Sequence, residues 1–180
     1  MTRIDPWAQR LVTQHLSEPK LKKASDVVSL LGAVQAQDYA MSKWALGQRI
    51  RGGTHAAVES EIDSGAILRT HVLRPTWHYV APADIRWMLA LTGPRVKAIL
   101  AHYDRQLGVD ASVIRQAQKV MAKALRNDMH LTRAELAEVM KKAGIRTDGT
   151  ERLARLVMHA ELDVTELSPE EAATYIVRLL

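Results

Sequence analysis

The 180-residue sequence contains no cysteine and no phenylalanine. Without cysteine it has no disulfide framework, no thiolate zinc site and no thiol nucleophile, which fits a reducing compartment. Without phenylalanine, the core depends on leucine, methionine and tryptophan. No signal-peptide apolar segment follows Met1, and no apolar run approaches the roughly 18 residues of a membrane span. We therefore expect a cytoplasmic protein that does not contact a membrane.

The charged residues are unevenly distributed along the chain. The net charge is +5, yet residues 111–146 hold eight Lys/Arg against three Asp/Glu, and residues 147–180 hold three against seven. A local basic zone favours nucleic-acid phosphates, because each neutralised phosphate releases counterions. A solvated helix face has the same composition. Charge alone therefore leaves both interpretations open.

The first 80 residues have the pattern of several helices followed by one β-hairpin. Asp5-Pro6, Ser25 and Thr54 are N-terminal helix signals, and Gly52-Gly53 ends a helix. Residues 67–72 and 77–80 are rich in β-branched and aromatic side chains, and they flank a connection that contains Pro75. Helices followed by a hairpin are typical of a winged helix. We expect this hairpin to be the only sheet.

The chain after Pro82 is predicted to be helical. Helices are expected near residues 83–92, 94–107 and 111–126, and Thr132 to Glu135 form a capping box for the next one. The following helix has an apolar stripe at Leu153, Leu156, Val157 and Ala160. The two helices on either side of Gly144 make a second helix-turn-helix candidate.

The opposite face of that last helix carries Arg152, Arg155 and His159. A recognition helix needs such a basic face for the DNA major groove. An ordinary amphipathic surface helix would show the same spacing.

No second wing follows Asp163; instead Ser168-Pro169 begins a terminal helix. Its apolar residues could make a homodimer contact: Tyr175, Ile176, Leu179 and Leu180.

The predicted fold is mainly α with a small β-hairpin, built from tandem winged-helix or helix-turn-helix units. We place a first winged-helix unit at residues 1–92. Linker helices and a second helix-turn-helix unit that lacks its wing follow at 93–163. A terminal helix, apparently truncated, occupies 164–180.

Four ordered blocks of sequence resemble one family. They are LLGAVQAQDYAMSKWALGQRI, ILRTHVLRPTWHYVAPADIRWMLALTGPRV, HLTRAELAEVMKKAGI and LARLVMHAELD. Together they resemble the winged-helix DNA-binding family that includes the AlkZ and YcaQ DNA glycosylases, from about residue 7 to Asp163. The resemblance implies tandem winged helices, a β-rich C-terminal part, and removal of alkylated bases or unhooking of crosslinks from DNA. The family's basic second wing, third winged helix and β-rich part have no counterpart here, which suggests an internal deletion with truncation or a naturally shortened paralogue.

The catalytic signature of that family is Gln, an apolar residue, then a second polar residue, and it corresponds here to Gln35-Ala36-Gln37. A cationic N7-alkylated purine leaves without protonation by an acid, so its hydrolysis needs mainly a positioned water and support for the developing sugar cation. Two carboxamides can position that water, and Asp38 could add negative charge. From the spacing alone, surface or turn-capping glutamines are the ordinary interpretation.

The predicted hairpin supplies further candidates for DNA contact, namely Arg69, His71, Arg74 and His78. Strand alternation places Arg69 and His71 on one face. Histidines near a sheet are more often packed or hydrogen-bonded than functional, so a structural role stays open. No metal-ligand spacing or phosphate-binding glycine loop is present, and we expect no metal and no cofactor.

Three functions are compatible with the sequence. The first is a DNA glycosylase that acts on alkylated bases in double-stranded DNA through Gln35 and Gln37. The second is a winged-helix protein that binds DNA without catalysis. The third is a shortened chain that dimerises through its terminal helix and has neither role. Loss of base release on mutation of the glutamines would distinguish the first from the others.

Overall fold

The computed structural model describes residues 5–19, 21–126 and 130–163. These residues form eight helices and three strands, which are α1 (Pro6–Thr13), α2 (Ala24–Leu31), β1 (Ala33–Gln35), α3 (Tyr39–Gly47), α4 (His55–Asp63), β2 (Leu68–His71), β3 (Trp77–Val80), α5 (Ile85–Gln106), α6 (Ala111–Ala124), α7 (Arg133–Lys142) and α8 (Thr150–Leu162). The predicted mainly helical fold with a small sheet is confirmed. The predicted terminal helix and the position of the second wing lie outside the described residues.

The sheet contains one strand more than the predicted hairpin. β2 and β3 pair antiparallel, and β1 adds to the other edge of β3 in the order β1-β3-β2. From α2 to β3 the order is helix, strand, helix, helix, strand, strand, as expected for a winged helix. Sequence patterning missed β1 because three residues between Gly32 and Asp38 are too few to show an alternating pattern.

The start of α2 is capped by a distant carboxylate. The sequence predicts Ser25 as its cap, but the helix begins at Ala24 and its N-cap, Lys23, makes no side-chain cap bond. Instead, the backbone N–H groups of Ala24 and Ser25 donate to the two oxygens of Glu61, at 2.7 and 2.9 Å. Glu61 lies on α4, so this cap also joins the first and third helices that pack on the sheet.

The two helices predicted on either side of Gly93 form one helix, α5, with Pro94 inside it. Proline removes one helical hydrogen bond and disfavours the helix interior by about 3 kcal/mol. Here both halves of the helix bury residues in the same core, Met88 and Leu89 before the proline and Val96 and Leu100 after it. Burial of this continuous face outweighs the local cost.

The sheet separates two hydrophobic cores. Strand alternation directs Leu68 and Val80 into a core with α5 and α8, and Ile67 and Tyr79 into a core with α2, α3 and α4. A third core lies between α6, α7 and α8. The helix α8 contributes to the first and the third core, so it connects the sheet to the second half of the chain.

The central position of α8 differs from the surface position predicted for it. Arg152 and His159 are buried together with six other residues of the helix, and only Arg155 of the predicted basic face is half-exposed. The predicted boundary between residues 92 and 93 falls inside α5.

None of the helices in the described ranges combines the length and the hydropathy that a membrane span requires.

Replacing Glu61 with alanine should lower the free energy of unfolding by about 1–2 kcal/mol, because two N–H groups at the start of α2 lose their acceptor. Urea denaturation measures this change. The exposed Glu138 serves as the control, and its replacement with alanine should change the free energy by no more than about 0.5 kcal/mol. Equal effects of the two substitutions would contradict the capping role.

Candidate active site

Gln35 and Gln37 lie where β1 leaves the sheet. Gln35 is exposed, Ala36 is fully buried and Gln37 is exposed again. This alternation is that of extended backbone, in which residues two apart project from the same side. A helix would have separated the two carboxamides, so the unpredicted strand β1 brings the motif residues together.

The Gln37 side chain has a defined orientation. Its Oε1 accepts a hydrogen bond of 3.1 Å from the backbone N–H of Trp77, and the N–H of Ala36 donates to the Trp77 carbonyl at 2.7 Å. A carboxamide offers one acceptor oxygen and two N–H donors. With the oxygen engaged by the backbone, Gln37 presents its N–H donors to an approaching group. Gln35 makes no side-chain hydrogen bond with a described residue.

Arg69 holds the backbone of the motif from β2. Its Nε and Nη2 both donate to the carbonyl of Ala36, at 3.1 and 2.9 Å. Its guanidinium carbon lies 4.3 Å from the centre of the Trp77 ring and 5.4 Å from that of Tyr39. Burial lowers the pKa of this guanidinium, which remains charged, and the two aromatic faces stabilise that charge. Arg69 therefore fixes the segment between the two glutamines.

His78 is the cross-strand neighbour of Gln35, so the two side chains project from the same face of the sheet. His78 is buried, and its Nδ1 lies 2.8 Å from the Thr76 carbonyl. A carbonyl accepts only, so Nδ1 is the donor and a neutral ring carries its lone pair on Nε2. Burial lowers the pKa of His78, which favours this neutral form.

His71 lies at the end of β2 and pairs with Glu161 of α8. The His71 Nδ1 is 2.6 Å from Glu161 Oε2, and this oxygen also accepts from the His71 N–H and from Thr70 Oγ1, each at 3.2 Å. The His71 ring is 4.0 Å from the Trp77 ring, centre to centre. Both His71 and Glu161 are buried. The pair connects α8 to the strand beside the candidate site.

The sequence matches the family described as DNA glycosylase AlkZ-like over residues 28–172, which is most of the chain and includes both glutamines. The chain belongs to the AlkZ-like DNA glycosylase family. A solved structure of the Streptomyces sahachiroi DNA glycosylase AlkZ is similar, with a TM-score of 0.67 and 22% identity over 88% of this chain. The match covers 45% of the Streptomyces chain, so this chain spans less than half of its length. No curated protein matches.

In this AlkZ-like chain, five of the predicted site residues lie together on the sheet, and the others lie apart. Gln37, Arg69 and His71 contact Trp77, and Gln35 and His78 pair on the opposite face of the same sheet. Arg74 is exposed in the turn between β2 and β3. Arg152, Arg155 and His159 belong to α8. Arg152 is nine residues from Glu161, or about 14 Å along the helix axis.

Two of the α8 residues have internal partners. Arg152 donates from Nε to the Arg146 carbonyl at 2.7 Å and from Nη1 to the Leu107 carbonyl. The His159 Nε2 lies 2.9 Å from Asp104 Oδ2. These contacts give Arg152 and His159 structural roles. Arg155 stays accessible, with its guanidinium carbon 5.4 Å from the centre of the Tyr103 ring.

Sequence reasoning missed Glu161 and Arg133. Glu161 follows Val157 by four residues and therefore lies on the apolar stripe of α8, which was a visible signal for a buried carboxylate. Arg133 is the first residue of α7, and its guanidinium carbon lies 5.4 Å from the centre of the Trp77 ring. No local pattern indicates that contact. Among the described residues, no cluster of three His, Asp or Glu could hold a metal ion.

Replacing Glu161 with alanine should lower the free energy of unfolding by about 3 kcal/mol or more, because His71 and Thr70 lose a buried partner. Glu161→Gln, which keeps an acceptor oxygen, should cost less. Chemical denaturation compares both with Glu151→Ala on the exposed start of α8, which should cost at most about 1 kcal/mol. If Glu161→Ala lowered the free energy of unfolding no more than this control, Glu161 would not stabilise the contact between α8 and β2.

The lowered pKa of His78 should make stability depend on pH. Below the ordinary pKa of 6.5 the unfolded chain binds a proton that the folded chain does not. The contribution is therefore intact above pH 6.5 and is lost as the pH falls through the folded pKa. Urea denaturation of the wild type and His78→Gln between pH 7.5 and 5 should show a smaller decline for the variant. Parallel declines would exclude His78 as a source.

Proposed function

We propose that this chain is a monofunctional DNA glycosylase that hydrolyses the N-glycosidic bond of cationic alkylated purines in double-stranded DNA. The observation that carries the proposal is the pair of exposed carboxamides at Gln35 and Gln37, held on one side of the chain by Trp77 and Arg69. Membership of the AlkZ-like family supports this choice of reaction.

The proposed chemistry needs no acid to protonate the leaving group. When the bond between C1′ and the purine nitrogen breaks, its electron pair moves into the base and neutralises the positive ring. The sugar becomes an oxocarbenium-like cation, and a water forms the new bond to C1′. The water then loses a proton to solvent or to an acceptor. What the protein must supply is a positioned water and a polar surrounding.

The two glutamines would have different roles in this reaction. The oxygen of Gln37 is engaged by the Trp77 N–H, so Gln37 would hold the water by donating to its oxygen. Gln35 has its carboxamide oxygen available, and this oxygen would accept a hydrogen bond from the same water as the water attacks. A donor and an acceptor on one side of the strand orient a water more tightly than two equivalent groups.

Exposed cations would hold the DNA backbone around this site. Among the predicted DNA-binding residues, Arg74 in the turn between the two hairpin strands is exposed, and Arg69 on β2 and Arg155 on α8 are half-exposed. Binding would weaken with rising salt concentration, as for any phosphate contact.

A DNA-binding protein without catalysis is the second candidate. It is supported by Arg74 and Arg155, which would contact phosphates whether or not a base is released. The same exposed arginines and the same fold would serve it. Base release separates the two functions, whereas DNA binding alone does not.

Replacing Gln35 or Gln37 with alanine should each slow base release about 100-fold, because water positioning is lost. The measurement is abasic-site formation in a duplex that contains N7-methylguanine. Gln9→Ala, an exposed glutamine on α1, is the matched control and should keep the wild-type rate. Gln37→Glu keeps the acceptor for Trp77 and loses the two donors, so it should also be slow while melting like the wild type.

Folded wild-type protein that binds the duplex and releases no base would exclude catalysis by this chain and leave the binding function. Release that survives both alanine substitutions would exclude the two glutamines as the catalytic groups.

A further inference from the structure

Two arginines from different parts of the chain approach the same indole ring. Arg69 of β2 lies 4.3 Å from the centre of the Trp77 ring, and Arg133 at the start of α7 lies 5.4 Å from it. The Trp77 backbone N–H holds Gln37. Arg133 is therefore connected to the candidate active site through a single residue, Trp77, although it lies almost a hundred positions from the glutamines along the sequence.

Neither cation is paired with a carboxylate of the described chain. Arg69 uses Nε and Nη2 on the Ala36 carbonyl, which leaves Nη1 without a bond to a described residue. The Arg133 side chain is exposed and makes no hydrogen bond with a described residue. The two positive charges repel, and Arg133 contributes to the lowered pKa of Arg69, although burial is the larger cause.

The carboxylates on the surrounding elements are engaged elsewhere. Glu135 closes the capping box with Thr132, and Glu161 accepts from Thr70 and His71. Other acidic side chains on α3 and α4 are also bound: Asp38 accepts from the Met41 N–H, and Glu59 pairs with Lys43. No described carboxylate therefore forms an ion pair with Arg69 or Arg133, and Glu161 compensates Arg69 only through a weaker Coulombic interaction.

The start of α7 fixes the position of Arg133, and the Glu135 carboxylate of the capping box lies at the same end of the helix. Arg133 is the first residue of a ten-residue helix, and the aligned peptide dipoles place partial positive charge at that end. The capping box fixes where the helix starts and so fixes the position of Arg133 over Trp77. A cation held in place, exposed and unpaired is suited to a ligand that brings its own negative charge.

We propose that Arg133, together with the free Nη1 of Arg69, binds a phosphodiester of the DNA strand next to Gln35 and Gln37. A guanidinium forms two parallel hydrogen bonds with phosphate oxygens, and the indole face keeps the group oriented. This contact would set the distance from the DNA backbone to the glutamines. The inference rests on the DNA binding in the proposed function, and it holds whether or not the chain releases bases.

The test is the salt dependence of binding to a fluorescently labelled duplex, measured by anisotropy for the wild type, Arg133→Gln, Arg133→Lys and Arg115→Gln. Arg115 is an exposed arginine on α6 and loses the same charge. Removing one phosphate contact should reduce the slope of log affinity against log salt by about 0.9 and weaken binding about tenfold at low salt. Arg133→Lys should keep most of the slope, and Arg115→Gln should keep the wild-type slope and affinity.

Two different failures can be told apart. If the wild type binds and Arg133→Gln behaves like Arg115→Gln, the phosphate contact is refuted and the proposed function is unaffected. If the folded wild type shows no binding even at low salt, both are refuted. Thermal melting of every variant establishes folding, since Arg133 is exposed and its replacement should leave the melting temperature unchanged.

Discussion

The buried carboxylate of Glu161 joins α8 to the strand that carries Thr70 and His71. Burying a charged group is costly unless partners satisfy it, and here one oxygen accepts three hydrogen bonds from two adjacent residues. The arrangement is therefore specific, because a shift of α8 by one turn would leave both the carboxylate and the imidazole without partners. Since α8 also fills the core between α6 and α7, the placement of the second half of the chain depends on this contact.

As a consequence, the candidate site is held in place both by α8, through Glu161, and by Arg69 of β2. His71, fixed by Glu161, packs on Trp77, whose backbone binds both Ala36 and Gln37. Arg69 holds the same segment through the Ala36 carbonyl. The two carboxamides thus belong to a preorganised frame, and orientation of this kind is what a reaction with a good leaving group needs from a protein.

Much of the fold follows from local patterns in the sequence, because the hairpin and most helix positions depend on near neighbours. The family resemblance identifies the motif of Gln35 and Gln37. It does not predict the geometry of the motif, because β1 is too short to leave a periodic signal in the sequence. The exposure of α8 was predicted wrongly for a physical reason. Arg152 and His159 have the spacing of a polar surface, and only tertiary contacts to Leu107 and Asp104 show that this surface is buried. The contact between Arg133 and Trp77 likewise joins residues that no local pattern connects.

The continuous helix α5 has a mechanical consequence. Because α5 continues without a break through Pro94, a rigid helix and not a flexible linker connects the sheet to the helices after residue 106. Its 22 residues span about 33 Å, and each residue is rotated by about 100° around the helix axis relative to the one before it. Inserting or deleting one residue in α5 would rotate everything beyond it by more than a quarter turn. Length variation among related proteins should therefore be tolerated in the loops at either end of this helix and not within it.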